Sequence, residues 1–94
     1  MKNIKYLADL ITDYGKTFYG SETPEYMATQ WIKALPKADL PDFHEWFDRG
    51  FWAPDVARAL SDAEVYPWEV PSNTAYDLCN GDLSVAAFLK TRRY

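Results

Sequence analysis

The stretch Pro41-Asp-Phe-His-Glu-Trp-Phe-Asp-Arg-Gly50-Phe-Trp-Ala-Pro54-Asp-Val-Ala-Arg-Ala-Leu60 decides the fold. Phe43, Trp46, Phe47, Phe51 and Trp52 fall within ten positions. They straddle Gly50, which reads as the stop of one helix, and Pro54, which reads as the first residue of the next. Each large ring buries roughly 150–250 Å² when enclosed, so this helical hairpin is expected to hold the largest share of the core. Phe47 here and Trp31 upstream are expected to be buried.

Upstream, Ile4, Leu7, Ile11, Tyr14 and Phe18 recur at helical spacing. With Leu10 they form one stripe on a first helix that Asn3 can cap. Thr23-Pro24-Glu25 has the chemistry of a helix start: a hydroxyl acceptor, a proline where no donor is needed, and an acid at the positive end of the dipole. That second helix is predicted to bury Met27, Trp31 and Leu35 or Ala34, and Pro36 ends it. A short third helix is predicted over 41–49.

Downstream, a fourth helix from Pro54 carries Val56, Ala59, Leu60 and Ala63, with a possible break where Ser61 and Glu64 have capping-box spacing. Tyr66-Pro67-Trp68-Glu69-Val70-Pro71 reads as extended, because two prolines disfavour helix for themselves and their predecessors. A fifth helix is predicted from Asn73 or Thr74 to Asn80, stopped by a left-handed Gly81. Asp82 would cap a sixth reaching Arg93. The fold class is therefore all-α, a compact bundle of five or six short helices in a single domain. A faint echo at an offset of 29 residues, pairing Phe47, Val56, Ala57 and Leu60 with Tyr76, Val85, Ala86 and Leu89, allows two similar hairpins. Shared helical periodicity explains it equally well.

The net charge of −4 hides a polarised distribution. Residues 1–40 balance, whereas residues 41–82 hold nine acids against two arginines, a net of −7. A solvated polar face accounts for such a run; so does a surface suited to a basic partner. The sixteen aromatic residues also exceed what 94 residues can fully enclose. Some rings must therefore meet water, either through ordinary partial burial or as a contact patch.

Chemistry is sparse. His44 is the only histidine and Cys79 the only cysteine, so no intramolecular disulfide and no zinc set of several His and Cys can form. His44 and Asp48 lie one helical turn apart and could pair as acid and base, or simply sit on an acidic face. No phosphate loop, nucleophile elbow or metal-spaced acid cluster is present. Neither enzyme activity nor a cofactor or metal is expected. No apolar run approaches the roughly 20 residues that span a bilayer, and Asp9 interrupts what would be a signal core. A soluble cytoplasmic chain is expected, without membrane contact.

Residues 46–59 and 75–88 both fit helix-turn-helix spacing. Their second helices, however, would offer Asp55 and Arg58, or Asp82, Ala86 and Ala87, where base edges call for Arg, Asn or Gln. The acidic segment would also repel phosphate. A small DNA-binding regulator of this type is the alternative reading, and direct nucleic-acid binding is disfavoured.

The pattern Trp46-x-x-x-Gly50-Phe51, a helix with Ala57 and Leu60, and the exit Val65-x-Pro67 resemble those of small helical accessory proteins of bacterial phages and plasmids. Asn80-Gly81-Asp82-Leu83-Ser84 is similar to a turn in such proteins, so the resemblance spans residues 45–89. Many of these proteins bind and block a host protein, anti-CRISPR proteins among them. The resemblance implies no specific activity by itself, but a non-enzymatic inhibitor that binds a protein partner is a class that fits an acidic, aromatic-rich chain without catalytic apparatus. The charge suggests that this partner is basic, as nucleic-acid-handling proteins are. The expected contact surface combines Asp42, Glu45, Asp48 and Asp55 with Trp52, Tyr66 and Trp68.

Overall fold

Six α-helices and no strand occur among residues 4–91, the part of the chain that the computed structural model describes. They are α1 (Ile4–Tyr14), α2 (Pro24–Ala34), α3 (Leu40–Asp48), α4 (Pro54–Asp62), α5 (Ser72–Asn80) and α6 (Val85–Thr91). Short 3-10 turns lie at Lys16–Phe18 and Pro67–Glu69. Asn3, Arg92 and Arg93 lie outside the described residues.

Local chemistry sets most boundaries. The Thr23 hydroxyl accepts from the Tyr26 amide at 3.1 Å. At α3 the Asp42 carboxylate reaches back to the Asp39 amide at 2.9 Å, satisfying a donor that the helix itself leaves unpaired. Three helices end in the same way, in a Schellman motif. In α3 the amides of Gly50 and Phe51 bond the carbonyls of Phe47 and Trp46. In α5 those of Gly81 and Asp82 bond Leu78 and Asp77. In α4 those of Glu64 and Val65 bond Ser61 and Leu60. The left-handed residue is Gly81 at φ 87° in α5, but it is Glu64 at φ 60° in α4.

Several expectations are corrected. Ser61 and Glu64 do not start a new helix; they belong to the α4 terminus. Helix α1 stops at Tyr14 because Gly15 takes φ 108°, a value open to glycine and strained for other residues. Phe18 therefore reaches the core from the 3-10 turn and not from α1. Residues 67–69 are not extended, since Glu69 accepts from the Tyr66 amide at 2.9 Å and closes a turn. Helix α6 starts after Ser84, whose hydroxyl accepts from the Ala87 amide at 3.1 Å. Asp82 instead accepts from the Asn80 side chain.

The core is one cluster centred on Phe47, which is 1% exposed. Its ring meets Trp31, Tyr14 and Phe18 edge-to-face at 4.9, 5.5 and 5.5 Å. Helices α1, α2 and α3 are thus joined through one side chain. Leu7, Ala8 and Ile11 complete the α1 side; Ala28 and Trp31 complete that of α2, with Leu35 just past its end. Trp46 meets Phe51 at 4.9 Å across the α3 terminus. Met27 is only partly buried. The 29-residue echo does not extend to environment: Phe47 and Ala57 are buried, whereas Tyr76 and Ala86 are exposed.

Candidate functional site

A groove of about 500 Å³ opens between the end of α2, the outer side of α3, the end of α4 and the 3-10 turn at residues 67–69. Leu35, Trp46 and Val65, all buried, form its floor. Asp42 and Glu45 line it from α3, Arg58 and Asp62 from α4, and Lys37 from the α2–α3 link. Tyr66 and Trp68 complete it.

The chain geometry explains why those two rings face water. Past the left-handed Glu64, residues 65–68 alternate: Val65 and Pro67 are buried, while Tyr66 and Trp68 are 52% and 55% exposed. Both are fixed by the 3-10 turn and they stack on each other, with centroids 5.0 Å apart and planes 4° from parallel. Each ring therefore gives one face to its neighbour. The stack keeps one outer face on each ring, and a short, proline-stiffened turn holds both.

The carboxylates around it differ in availability. Asp62 pairs with Arg58, with Nε 3.3 Å from Oδ2. Asp42 spends one oxygen on the Asp39 amide. Glu45 is exposed and makes no hydrogen bond or ion pair among the described residues. An exposed pair such as Arg58–Asp62 contributes about 0–1 kcal/mol to stability, and Glu45, which has no such pair among the described residues, is not required to hold the fold.

Of the seven residues expected to share a surface, the structure gathers four: Asp42, Glu45, Tyr66 and Trp68. Asp55 lies on a shallower adjoining hollow with Gln30, Lys33 and Arg58. Asp48 belongs to a different side of α3. Successive steps of three residues each fall about 60° short of a full turn, so Asp48 is about 120° around the helix from Asp42. There it accepts from the Tyr14 hydroxyl. His44 Nδ1 lies 3.0 Å from the same hydroxyl and 3.8 Å from the Asp48 carboxylate. Burial, then the hydrogen bond and the negative charge of Asp48, raise the Tyr14 pKa well above the usual phenol range.

Trp52 is not among the residues that line the groove. Half-buried, it packs edge-on against Tyr76 with centroids 5.4 Å apart. Next to it, burial pushes the Cys79 thiol up, against hydrogen bonds from the backbone at Ala53 and Trp52 that pull it down; the charge of Asp55 adds to the rise. Among the described residues no three His, Cys, Asp or Glu side chains gather as a metal-binding set. No helix among them is long and apolar enough to cross a membrane.

Sequence reasoning missed the floor residue Trp46 as part of the site, and missed Lys37 altogether. It also missed Tyr14 as the partner of His44 and Asp48. The Arg58–Asp62 pair carried a readable signal in its spacing of four; Tyr14, 34 positions from Asp48, carried none. No family model, no curated protein and no solved structure matches this chain.

Proposed function

We propose that this protein is a non-enzymatic binding module that engages a protein partner through the groove walled by Tyr66 and Trp68. The observation that carries this reading is the exposed ring stack beside the unpaired Glu45 carboxylate. Rigid aromatic surface loses little entropy on docking and forms the anchor of many interfaces. Carboxylates at its rim speed the approach of a basic partner and exclude acidic ones. The net of −7 over residues 41–82 favours a partner with a basic surface, such as a protein that handles nucleic acid. Inhibition of a host protein, as many small accessory proteins of phages and plasmids perform, is a role that fits such a module.

Capture of a partner from source-cell extract by the immobilised parent, Trp68→Ala and Glu45→Lys proteins tests this. A partner held by the parent should be lost from both variants, with helical circular dichroism unchanged. Equal capture by Trp68→Ala would overturn the assignment. Duplex DNA binding that weakens steeply with salt would instead favour the DNA-regulator reading.

A further inference from the structure

We infer that the group recognised in this groove is an arginine guanidinium on an exposed segment of the protein partner, an inference that rests on the groove being the binding surface. Two features must be met by one ligand group: a flat π surface and carboxylates with free lone pairs. Tyr66 and Trp68 supply the first through the outer face that each ring keeps after stacking on the other. Glu45, unpaired, and the remaining oxygen of Asp42 supply the second.

A guanidinium is planar, weakly hydrated and always charged, and it carries donors in its own plane. It can lie on an aromatic face while its edge meets a carboxylate. The lysine ammonium is a compact, strongly hydrated point charge and gains much less from a flat ring. The groove already holds one guanidinium on one acid, Arg58 on Asp62. That pairing leaves Asp42 and Glu45 for an incoming cation. The lining sets three carboxylates, Asp42, Glu45 and Asp62, against Lys37 and Arg58, so its net charge is negative and favours a cation over an acidic segment. A neutral apolar segment would use the rings and leave Glu45 idle. The volume of about 500 Å³ is in the range that takes a whole side chain with its flanking backbone.

Fluorescence polarisation with two labelled, glycine-spaced peptides, one bearing three arginines and the other three lysines, tests the inference at low salt. The arginine peptide should bind about five- to tenfold more tightly. Trp68→Ala should weaken it at least about fivefold and narrow the difference between the two. Glu45→Gln, an exposed change that spares the fold, should weaken it by a similar factor. Equal affinity for the two peptides, or affinity unchanged by Glu45→Gln, would overturn the guanidinium assignment. If neither peptide binds while Trp68→Ala still abolishes partner capture, this inference fails and the groove reading stands. If Trp68→Ala leaves partner capture intact, the groove reading itself fails.

Discussion

The indole of Trp31 meets the ring of Phe47 edge-to-face, with centroids 4.9 Å apart and planes at 76°. This contact joins α2 to α3, and both side chains are almost wholly enclosed. Phe47 also touches Phe43, Phe18 and Tyr14. Phe47→Ala would empty a site lined on several sides by rings that cannot collapse into it. The expected cost is about 3–5 kcal/mol, a large part of the 5–15 kcal/mol total typical of a domain. Urea unfolding should show it, and a midpoint equal to the parent's would contradict the packing.

Trp52→Ala should separate stability from binding. Its ring is half-buried against Tyr76 and does not line the groove. A loss of about 1–3 kcal/mol is expected, below that of a fully enclosed ring. Partner capture per folded molecule should not change. Loss of capture in folded Trp52→Ala protein would extend the binding surface to the α3–α4 link.

Glu64→Gly should stabilise the protein. Glu64 holds the left-handed position of the α4 Schellman motif at φ 60°, the position that Gly81 fills in α5. A non-glycine residue there costs roughly 1–2 kcal/mol, and part of the relief is offset by the entropy glycine gains when unfolded. A net gain of about 0.5–1 kcal/mol is expected in chemical denaturation. A clear loss would mean that the Glu64 side chain contributes more than its backbone costs.

Alkaline pH should weaken the fold through Tyr14. Burial and Asp48 raise its pKa in the folded chain, so the folded state keeps the proton after the unfolded state has released it. The stabilisation is fully present below the ordinary phenol value near pH 10. It is lost as pH rises from there through the raised native value. Tyr14→Phe should flatten the fall in unfolding free energy above about pH 10. Parallel slopes for parent and variant would remove Tyr14 from this role.

The Cys79 thiol, pushed up by burial, should be a slow nucleophile at neutral pH, because the thiolate is the reactive form. Alkylation of the native protein should lag well behind that of the urea-unfolded chain. Equal rates would indicate that α5 opens readily around Cys79.

Features confined to one or two turns of chain were readable from the residues alone. Thr23-Pro24 starts a helix because a hydroxyl and a missing donor act within three positions. Gly50 and Gly81 mark helix ends because glycine takes the left-handed conformation without the steric cost a side chain adds. Phe47 and Trp31 were identifiable as core from size and helical spacing. The same local chemistry misled where two motifs compete for the same letters: Ser61-x-x-Glu64 fits a helix start, yet closes a helix end. Pro67 and Pro71 suggest extension, yet the Glu69 carboxylate turns the segment back on the Tyr66 amide.

The candidate site belongs to the other category. That Tyr66 and Trp68 stack, and do so beside Glu45 some twenty positions earlier in the chain, depends on α4 carrying residue 65 back against α3. Asp48 leaves that surface because three-residue steps drift around a helix, and α1 then places Tyr14 beside it. Helix starts and stops follow from hydrogen bonds a few residues long, which the sequence determines directly. The grouping of one groove from four separate segments follows from which apolar faces bury one another, and only the packed structure decides that.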